Sequence, residues 1–317
     1  MELPNLDDFL LHLKVNNYSS ETIYNYELDL KVFQLFLNEE VKVSDFKSIS
    51  KKTIELYKAY MNSKDRKTAG GKKAQGKLTS DSLNRCLSSL RGYLKYLIEM
   101  DLPCPIPPEV VKMARTEKKH GQVAELEDLV KLIESPEYLE NNPLIGLRNR
   151  TILEVFFSTG MRISELCSLN RSDIDNSGRI FILGKGKKER FVYLTPRAKN
   201  YLERYLATRQ DGVKALFVPY AGINVSQTKK RLSVNYVQMK IKQYREKLKI
   251  NVPTSAHSLR HGFATYLAES GASPVAIQIL LGHESLDTTT RYVHASDKFA
   301  ENSHRKFHPL AKEDKTA

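Results

Sequence analysis

Apolar residues in the first third of the chain recur every three or four positions, which is the spacing of amphipathic helices. A first helix is expected to begin near Leu6, and Ser19 is a candidate N-cap for the second. Two more helices are expected over 52–61 and 80–100. The apolar faces of the first, second and fourth helices are formed by Leu6, Phe9, Leu10 and Leu13; by Ile23, Tyr26, Leu30, Phe33 and Leu37; and by Leu83, Leu87, Leu90, Leu94 and Leu97.

The rest of the chain combines helical patterns with short apolar runs. The segments 179–183 and 190–194 each consist of an arginine followed by apolar and aromatic residues, and the glycine-containing turn between them predicts a hairpin. The apolar run 216–218 predicts a short third strand. Gly160, Ser273-Pro274 and Gly282 have the chemistry of helix ends. Helices are expected over 126–134, 146–158, 233–248, 258–270, 273–281 and 297–305, from near Ile163, and after Pro196.

A stiff, basic connection separates these two regions. Four prolines interrupt the helical pattern between 103 and 108, and mostly basic residues follow over 112–120. We therefore expect a helical domain over 1–113, a linker over 114–121 and a second domain over 122–317. The predicted fold class is mainly α with a small β-sheet.

Composition limits what such a chain can do. The 317 residues include 50 Lys and Arg against 37 Asp and Glu, so the formal net charge is +13. A positive surface favours nucleic-acid binding, because each phosphate contact releases condensed counterions, although charge alone does not establish it. We expect a cytoplasmic protein without a membrane span, since no apolar run approaches ~20 residues and the N-terminus lacks a signal peptide. Three distant cysteines predict reduced thiols rather than disulfides or a zinc site.

Basic residues also concentrate in the segment between the third and fourth predicted helices. Two interpretations stay open for this segment: a solvated flexible loop, or a loop that lies along a DNA backbone. The candidate DNA-binding residues there and in the linker are Lys64, Arg66, Lys67, Lys72, Lys73, Lys77, Lys118 and Lys119.

The residues near the C-terminus suit phosphodiester chemistry that uses no metal. His257, Arg260, His283 and Tyr292 recur at short intervals, and Arg162 lies upstream. Guanidiniums hold two phosphate oxygens at once, imidazoles share protons near neutral pH, and a phenol can attack phosphorus. His257 and His261 also have the spacing of some zinc ligands. However, Ser258 stands where zincins place a glutamate, and Arg260 between the two histidines would repel a cation. We therefore expect no metal and no cofactor.

The pattern of these residues resembles the tyrosine recombinase (phage integrase) family over most of the chain. The resemblance implies that Arg162 and Arg260 hold the scissile phosphate and that Tyr292 is the nucleophile. It implies that His257 and His283 handle protons or donate to the phosphate, and that Lys185 is the general acid, with Lys187 and Lys188 as neighbouring alternatives. Glu165 would orient Arg162 or His257, and an ordinary helix-surface ion pair is the alternative for this carboxylate.

The resemblance also implies an architecture and a reaction. A SAM-like N-terminal DNA-clamp domain would precede a mixed α/β catalytic domain. Duplex DNA would be cleaved through a 3′-phosphotyrosyl intermediate, without ATP or metal, by four protomers of this chain or of a paralogue on two sites. We expect no further domain before the first helix. This arrangement is similar to the Xer group and implies chromosome dimer resolution at cell division. The alternatives are a mobile-element integrase, a type IB topoisomerase, a non-catalytic DNA-binding regulator and a metal-dependent nuclease.

Overall fold

The structure is a computed structural model, and it describes residues 1–74, 76–116, 123–183, 189–220 and 230–282. The chain divides into two compact units, Met1–Lys119 and His120–Ala317. The linker over 114–121 stays a prediction, since most of it falls outside the described residues. Other predictions also fall outside the described residues, namely the positions of Lys118, Lys119, Lys185, His283 and Tyr292 and the expected helix over 297–305.

The first unit packs helices around one apolar core, as the periodicity predicts. Ser19 caps its second helix, because the Ser19 hydroxyl accepts a hydrogen bond of 3.1 Å from the Thr22 amide. That helix continues into a short π-helical segment, Leu37–Val41, which the sequence did not indicate. Three-residue 3-10 turns occupy Phe46–Ser48 and Pro108–Val110. The α-helices are α1 (Leu6–Val15), α2 (Ser20–Phe36), α3 (Lys51–Met61) and α4 (Ser80–Glu99).

The basic segment between α3 and α4 is folded back on itself as a hairpin-like turn. The Thr68 amide donates to the Lys72 carbonyl at 2.8 Å, and the Ala74 amide donates to the Arg66 carbonyl at 2.8 Å. Two of its lysines are held in ion pairs, Lys67 with Glu39 at 2.5 Å and Lys73 with Asp65 at 2.8 Å. Lys64, Lys72 and Lys77 are exposed, and no ion pair of theirs is found among the described residues.

The cysteine prediction is confirmed. Cys86, Cys104 and Cys167 are free thiols; the first and last are buried, and Cys104 is partly buried. Burial raises the pKa of Cys86 to about 12 and that of Cys167 to about 11, so these two thiols are protonated at neutral pH.

The second unit surrounds the long helix Pro143–Thr159 with shorter helices and a hairpin. Its core is formed largely by buried aliphatic side chains such as Leu153, Val155 and Leu259. A 3-10 turn occupies Arg171–Asp173. The α-helices are α5 (Leu126–Glu134), α6 (Pro136–Leu139), α7 (Pro143–Thr159), α8 (Ile163–Ser168), α9 (Pro196–Ala207), α10 (Val234–Lys247), α11 (Ala256–Glu269) and α12 (Pro274–Leu281).

The predicted hairpin is present. Strand β1 (Arg179–Leu183) pairs antiparallel with β2 (Glu189–Tyr193), and Phe181 lies opposite Phe191. Both strands alternate between exposed and buried residues, so one face of the hairpin packs on the core. Within the described residues the fold is therefore mainly α with a small two-stranded sheet, as predicted.

The third strand was a wrong prediction. Residues 216–218 are buried, but they form no strand with β1 or β2. The Leu216 amide donates to the Leu169 carbonyl at 2.8 Å, and an isolated bridge joins Asn170 to Ala215. The apolar run is buried because it crosses the core as an irregular segment, and burial alone does not distinguish that from a strand.

The start of α11 differs from the prediction, whereas both ends of α12 agree with it. Helix α11 begins at Ala256 rather than Ser258, because Ser255 caps it through a 3.2 Å hydrogen bond from the Ser258 amide. His257 consequently lies in the first turn of α11. Helix α12 has the predicted Ser273 cap and ends at Gly282, whose φ of 64° is left-handed.

Candidate active site

Arginines from three elements meet at the C-terminal end of α12 in the described part of the second unit. Arg190 Nε donates to the Leu280 carbonyl at 2.9 Å, Arg260 Nη2 donates to the Leu281 carbonyl at 2.7 Å, and Arg162 Nη2 donates to the Gly282 carbonyl at 3.3 Å. The last carbonyls of a helix lack partners within it and carry partial negative charge, so they attract cations. The end of α12 therefore brings Arg162 and Arg260 together.

Arg162 is the residue before α8, immediately after the turn that ends α7. Its backbone amide donates to Glu165 Oε2 at 2.7 Å, and its Nη1 donates to Glu165 Oε1 at 3.1 Å. The carboxylate thus closes the first turn of α8 and holds the arginine side chain at the same time. The Arg162 side chain is still 38% exposed, which leaves part of its guanidinium open to solvent.

Arg260 is buried, with only 6% of its surface exposed. Besides the Leu281 carbonyl, its guanidinium donates to the Gly160 carbonyl at 2.8 Å. Gly160 ends α7 with a left-handed φ of 60°, and a Cβ atom there would lie 2.2 Å from the Phe263 ring. Only glycine fits this turn, and the turn presents its carbonyl to Arg260 two residues before Arg162.

Glu165 is buried and lies between two guanidiniums. Arg190 Nη1 donates to Glu165 Oε1 at 3.0 Å, and Arg190 Nη2 donates to Oε2 at 2.7 Å. Burial by itself raises the pKa of Glu165, but the hydrogen bonds from Arg190 and from the Arg162 amide more than offset it, so the pKa lies below its ordinary value. Arg162 and His257 were the two predicted partners of Glu165. In the structure Glu165 pairs with Arg162 and, in addition, with Arg190.

His257 lies one turn before Arg260 on α11, and its ring is accessible to solvent. Its Nε2 lies 2.6 Å from Nε2 of His261, and the two rings meet edge to face. Partial desolvation and the positive charge of Arg260 lower the pKa of His257 below its ordinary value. The imidazole is therefore neutral at pH 7, which lets one ring nitrogen accept a proton while the other donates a hydrogen bond.

Three predicted site residues flank this cluster in sequence but lie outside the described residues. In sequence, Lys185 lies between β1 and β2, and β2 supplies Arg190. His283 follows Gly282 directly, and Tyr292 comes later in the same segment. Their roles stay predictions.

Arg190 was missed by the sequence analysis, because both faces of its strand carry apolar or aromatic residues and the sequence does not show which face is inward. In the structure Arg190 lies on the same inward face of β2 as Val192, and both side chains are buried. An arginine on the inner face of a strand requires a buried acceptor, because an unpaired buried charge is costly. Glu165 is that acceptor.

Across the described ranges, no group of three or more His, Cys, Asp or Glu side chains could hold a metal ion. No helix in those ranges is long and apolar enough to cross a bilayer.

Comparison with known proteins identifies both units. Residues 122–298 match the model of the phage integrase family, and residues 6–100 match the N-terminal SAM-like domain of phage integrases. The cluster of Arg162, Glu165, Arg190 and Arg260 lies inside the first of these matches.

Relatives resemble the chain over nearly its whole length. Tyrosine recombinase XerD of Staphylococcus epidermidis is 31% identical over 314 residues, which cover 96% of this chain and 99% of the relative. Tyrosine recombinase XerC of Myxococcus xanthus is 32% identical over 319 residues, which cover 97% and 98%.

Solved structures share the fold. XerH recombinase bound to difH DNA superposes with a TM-score of 0.68 at 22% identity, covering 92% of this chain and 81% of that one. The Tn1549 transposon integrase with circular-intermediate DNA gives a TM-score of 0.71 at 15% identity, covering 96% and 99%. Together, the family match over the second unit, the SAM-like match over the first and the full-length similarity to two recombinases show that the chain belongs to the phage integrase family of tyrosine recombinases.

Proposed function

We propose that this tyrosine recombinase is a Xer-like site-specific recombinase that cleaves and rejoins DNA through a 3′-phosphotyrosyl intermediate. The observation that carries the proposal is the convergence of Arg162 and Arg260 on adjacent carbonyls at the end of α12. Two guanidiniums fixed side by side can hold the non-bridging oxygens of one phosphodiester. Such a preorganised positive site stabilises the charge that develops during attack on phosphorus.

The proposed cleavage step balances without a cofactor. The phenol oxygen of Tyr292 attacks the scissile phosphorus, a tyrosine–phosphate bond forms at the 3′ side, and the bond to the 5′ oxygen breaks. The phenol proton passes to a neighbouring base, for which His257 is suited because its imidazole is neutral at pH 7. Lys185 gives a proton to the departing 5′ oxygen, and His283 donates to the phosphate.

Rejoining reverses the same bonds with a different strand. A 5′-hydroxyl of the partner duplex attacks the phosphotyrosine, restores the phosphodiester and releases the phenol. The bond energy stays in the covalent link, so neither ATP nor a metal is required. We propose that four protomers, of this chain alone or with a paralogue, carry out two such exchanges on two duplex sites.

The Xer-like role rests on similarity to the XerD and XerC relatives over almost all of both chains. Resolution of chromosome dimers at cell division is the proposed task, and the cytoplasm is the proposed location. Integration of a mobile element is the alternative within the family.

Trapping the covalent intermediate tests the mechanism. Binding sites are first selected from a random duplex library, and a selected duplex is then nicked next to the cleavage position so that the released fragment diffuses away. Wild-type protein should form a DNA–protein band that survives SDS, with or without excess EDTA. Tyr292→Phe should bind the same duplex and form no band.

Other outcomes would replace the proposal with a specific alternative. Duplex cleavage that leaves no covalent band and stops in excess EDTA would point to a metal-dependent nuclease. A band accompanied by plasmid relaxation but no recombinant product would point to a type IB topoisomerase. Recombination between an element end and unrelated target duplexes, rather than between two copies of one site, would point to a mobile-element integrase.

A further inference from the structure

Arg190 has no role in the proposed cleavage step, yet it is as deeply buried as Glu165. Its whole residue is 8% exposed. All of its recorded hydrogen bonds go to two places: both oxygens of Glu165 and the carbonyl of Leu280. It joins β2, α8 and α12 through one side chain.

The shared carboxylate is what connects Arg190 with Arg162. Each oxygen of Glu165 accepts one hydrogen bond from Arg190 and one from Arg162, at distances between 2.7 and 3.1 Å. Glu165 carries one negative charge, and the bidentate, buried pair with Arg190 takes up most of it. Arg162 makes a single side-chain hydrogen bond with Glu165. Much of its positive charge is therefore not neutralised and can attract another anion.

Removal of Arg190 would change the charge that Arg162 presents. An unpaired buried carboxylate is costly, so Glu165 would draw the Arg162 guanidinium into a full ion pair. A guanidinium neutralised in that way attracts a phosphate more weakly. The Leu280 carbonyl would lose its donor at the same time, which frees the last turn of α12 from β2.

We propose that Arg190 is a positioning residue for DNA cleavage, which neutralises Glu165 so that Arg162 remains available to the scissile phosphate. The inference rests on the proposed function of the cluster. It assigns to Arg190 no contact with DNA, and it predicts a specific interaction between substitutions at positions 190 and 165.

The test compares wild type, Arg190→Met and a double variant on the nicked selected duplex, with single-turnover rates of band formation and duplex affinity measured separately. Arg190→Met keeps the side-chain length and removes the charge; we expect the rate to fall about 100-fold while the affinity for the duplex changes little. The double variant Arg190→Met/Glu165→Gln also removes the unpaired carboxylate but keeps an oxygen for the Arg162 amide. We expect it to cleave about tenfold faster than Arg190→Met.

Faster cleavage by the double variant than by Arg190→Met distinguishes control of the charge on Glu165 from a purely structural role of Arg190. If Arg190 only supports the fold, loss of a second buried group makes the protein worse, so a double variant no faster than Arg190→Met overturns the proposal. Arg190→Met within about threefold of wild type overturns it as well. Absence of a band with wild-type protein would instead contradict the proposed function itself.

A matched control removes another buried arginine of the same unit. Arg150 is 3% exposed and pairs with Glu154 at 2.8 Å on α7. Arg150→Met should lower the melting temperature as Arg190→Met does, yet the folded protein should cleave at the wild-type rate. If Arg190→Met does not fold, Arg190→Lys takes its place. A lysine keeps the charge but cannot bridge both oxygens, so its rate should stay within about tenfold of wild type. A loss of about 100-fold although the charge is kept would overturn the proposal.

Discussion

The Arg260 guanidinium donates a 2.8 Å hydrogen bond to the carbonyl of Gly160, the residue that ends α7. Since Gly160 lies two residues before Arg162, one of the two proposed phosphate-binding arginines helps to position the other. The bond depends on the left-handed turn at Gly160, which aims its carbonyl at Arg260.

We expect Gly160→Ala to lower the free energy of unfolding by about 3 kcal/mol, because a φ of 60° strains alanine and its Cβ would meet the Phe263 ring. Gly271→Ala is the matched control: it has a φ of 90° but no atom within 4 Å of the added carbon, so only the backbone cost of about 1 kcal/mol applies. Urea unfolding measures both. Equal losses in the free energy of unfolding for the two variants would show that the Phe263 ring moves away from the added Cβ at no cost.

Arg260→Ala and Arg162→Ala should differ in stability although both stop cleavage. Arg260 is buried, and its removal leaves the Gly160 and Leu281 carbonyls without that donor, at a cost of about 3 kcal/mol. Arg162 is 38% exposed and Glu165 keeps Arg190, so its loss costs less than about 1 kcal/mol. Urea unfolding ranks the two variants. A larger loss for Arg162→Ala would contradict the described geometry.

Acidification should destabilise the protein partly through His257. Its pKa is lower in the folded chain than in the unfolded chain, so the unfolded state binds the proton more tightly. This penalty is absent above about pH 7.5 and grows as the pH falls through the unfolded pKa of about 6.5 towards the lower folded value. His257→Asn should therefore lose less stability than wild type between about pH 7.5 and pH 5. Parallel losses would mean that folding leaves the pKa of His257 unchanged.

Lysines in the turn between α3 and α4 should contribute unequally to DNA binding. Lys72 is exposed with no ion pair among the described residues, whereas Lys73 pairs with Asp65. We expect Lys72→Ala to reduce the slope of log affinity against log salt by about one, as the loss of one phosphate contact requires. Lys73→Ala, its neighbour, should change the slope less. Titrations of a fluorescent duplex at several salt concentrations measure both, and an unchanged slope for Lys72→Ala would remove the turn from the DNA-binding surface.

Helix boundaries that depend on local chemistry could be predicted from the sequence. Ser273-Pro274 and Gly282 delimit α12, because capping and left-handed φ are properties of the residues themselves. The family resemblance likewise predicted that Arg162 and Arg260 act together, and in the structure both guanidiniums lie at the end of α12.

Features that depend on tertiary contacts were harder to predict. The run 216–218 is apolar and buried, as a strand would be, yet its pairing with the Leu169 carbonyl does not continue into a ladder. Arg190 was missed because the residues of β2 do not show which of its faces is inward, and its partner Glu165 lies on a different element. Pairing between distant residues follows from packing, which periodicity does not encode.

The oxygens that anchor the arginines at the end of α12 belong to the main chain, and no point mutation can delete them. Exposed side chains of this helix, such as Val275 and Ile279, can therefore change over evolutionary time without loss of the anchors, provided that the helix still ends at Gly282. Glu165 has no such protection, since one nucleotide change removes its charge. Selection for activity in a randomised library should thus tolerate diversity at these exposed positions of α12 and purge it at position 165.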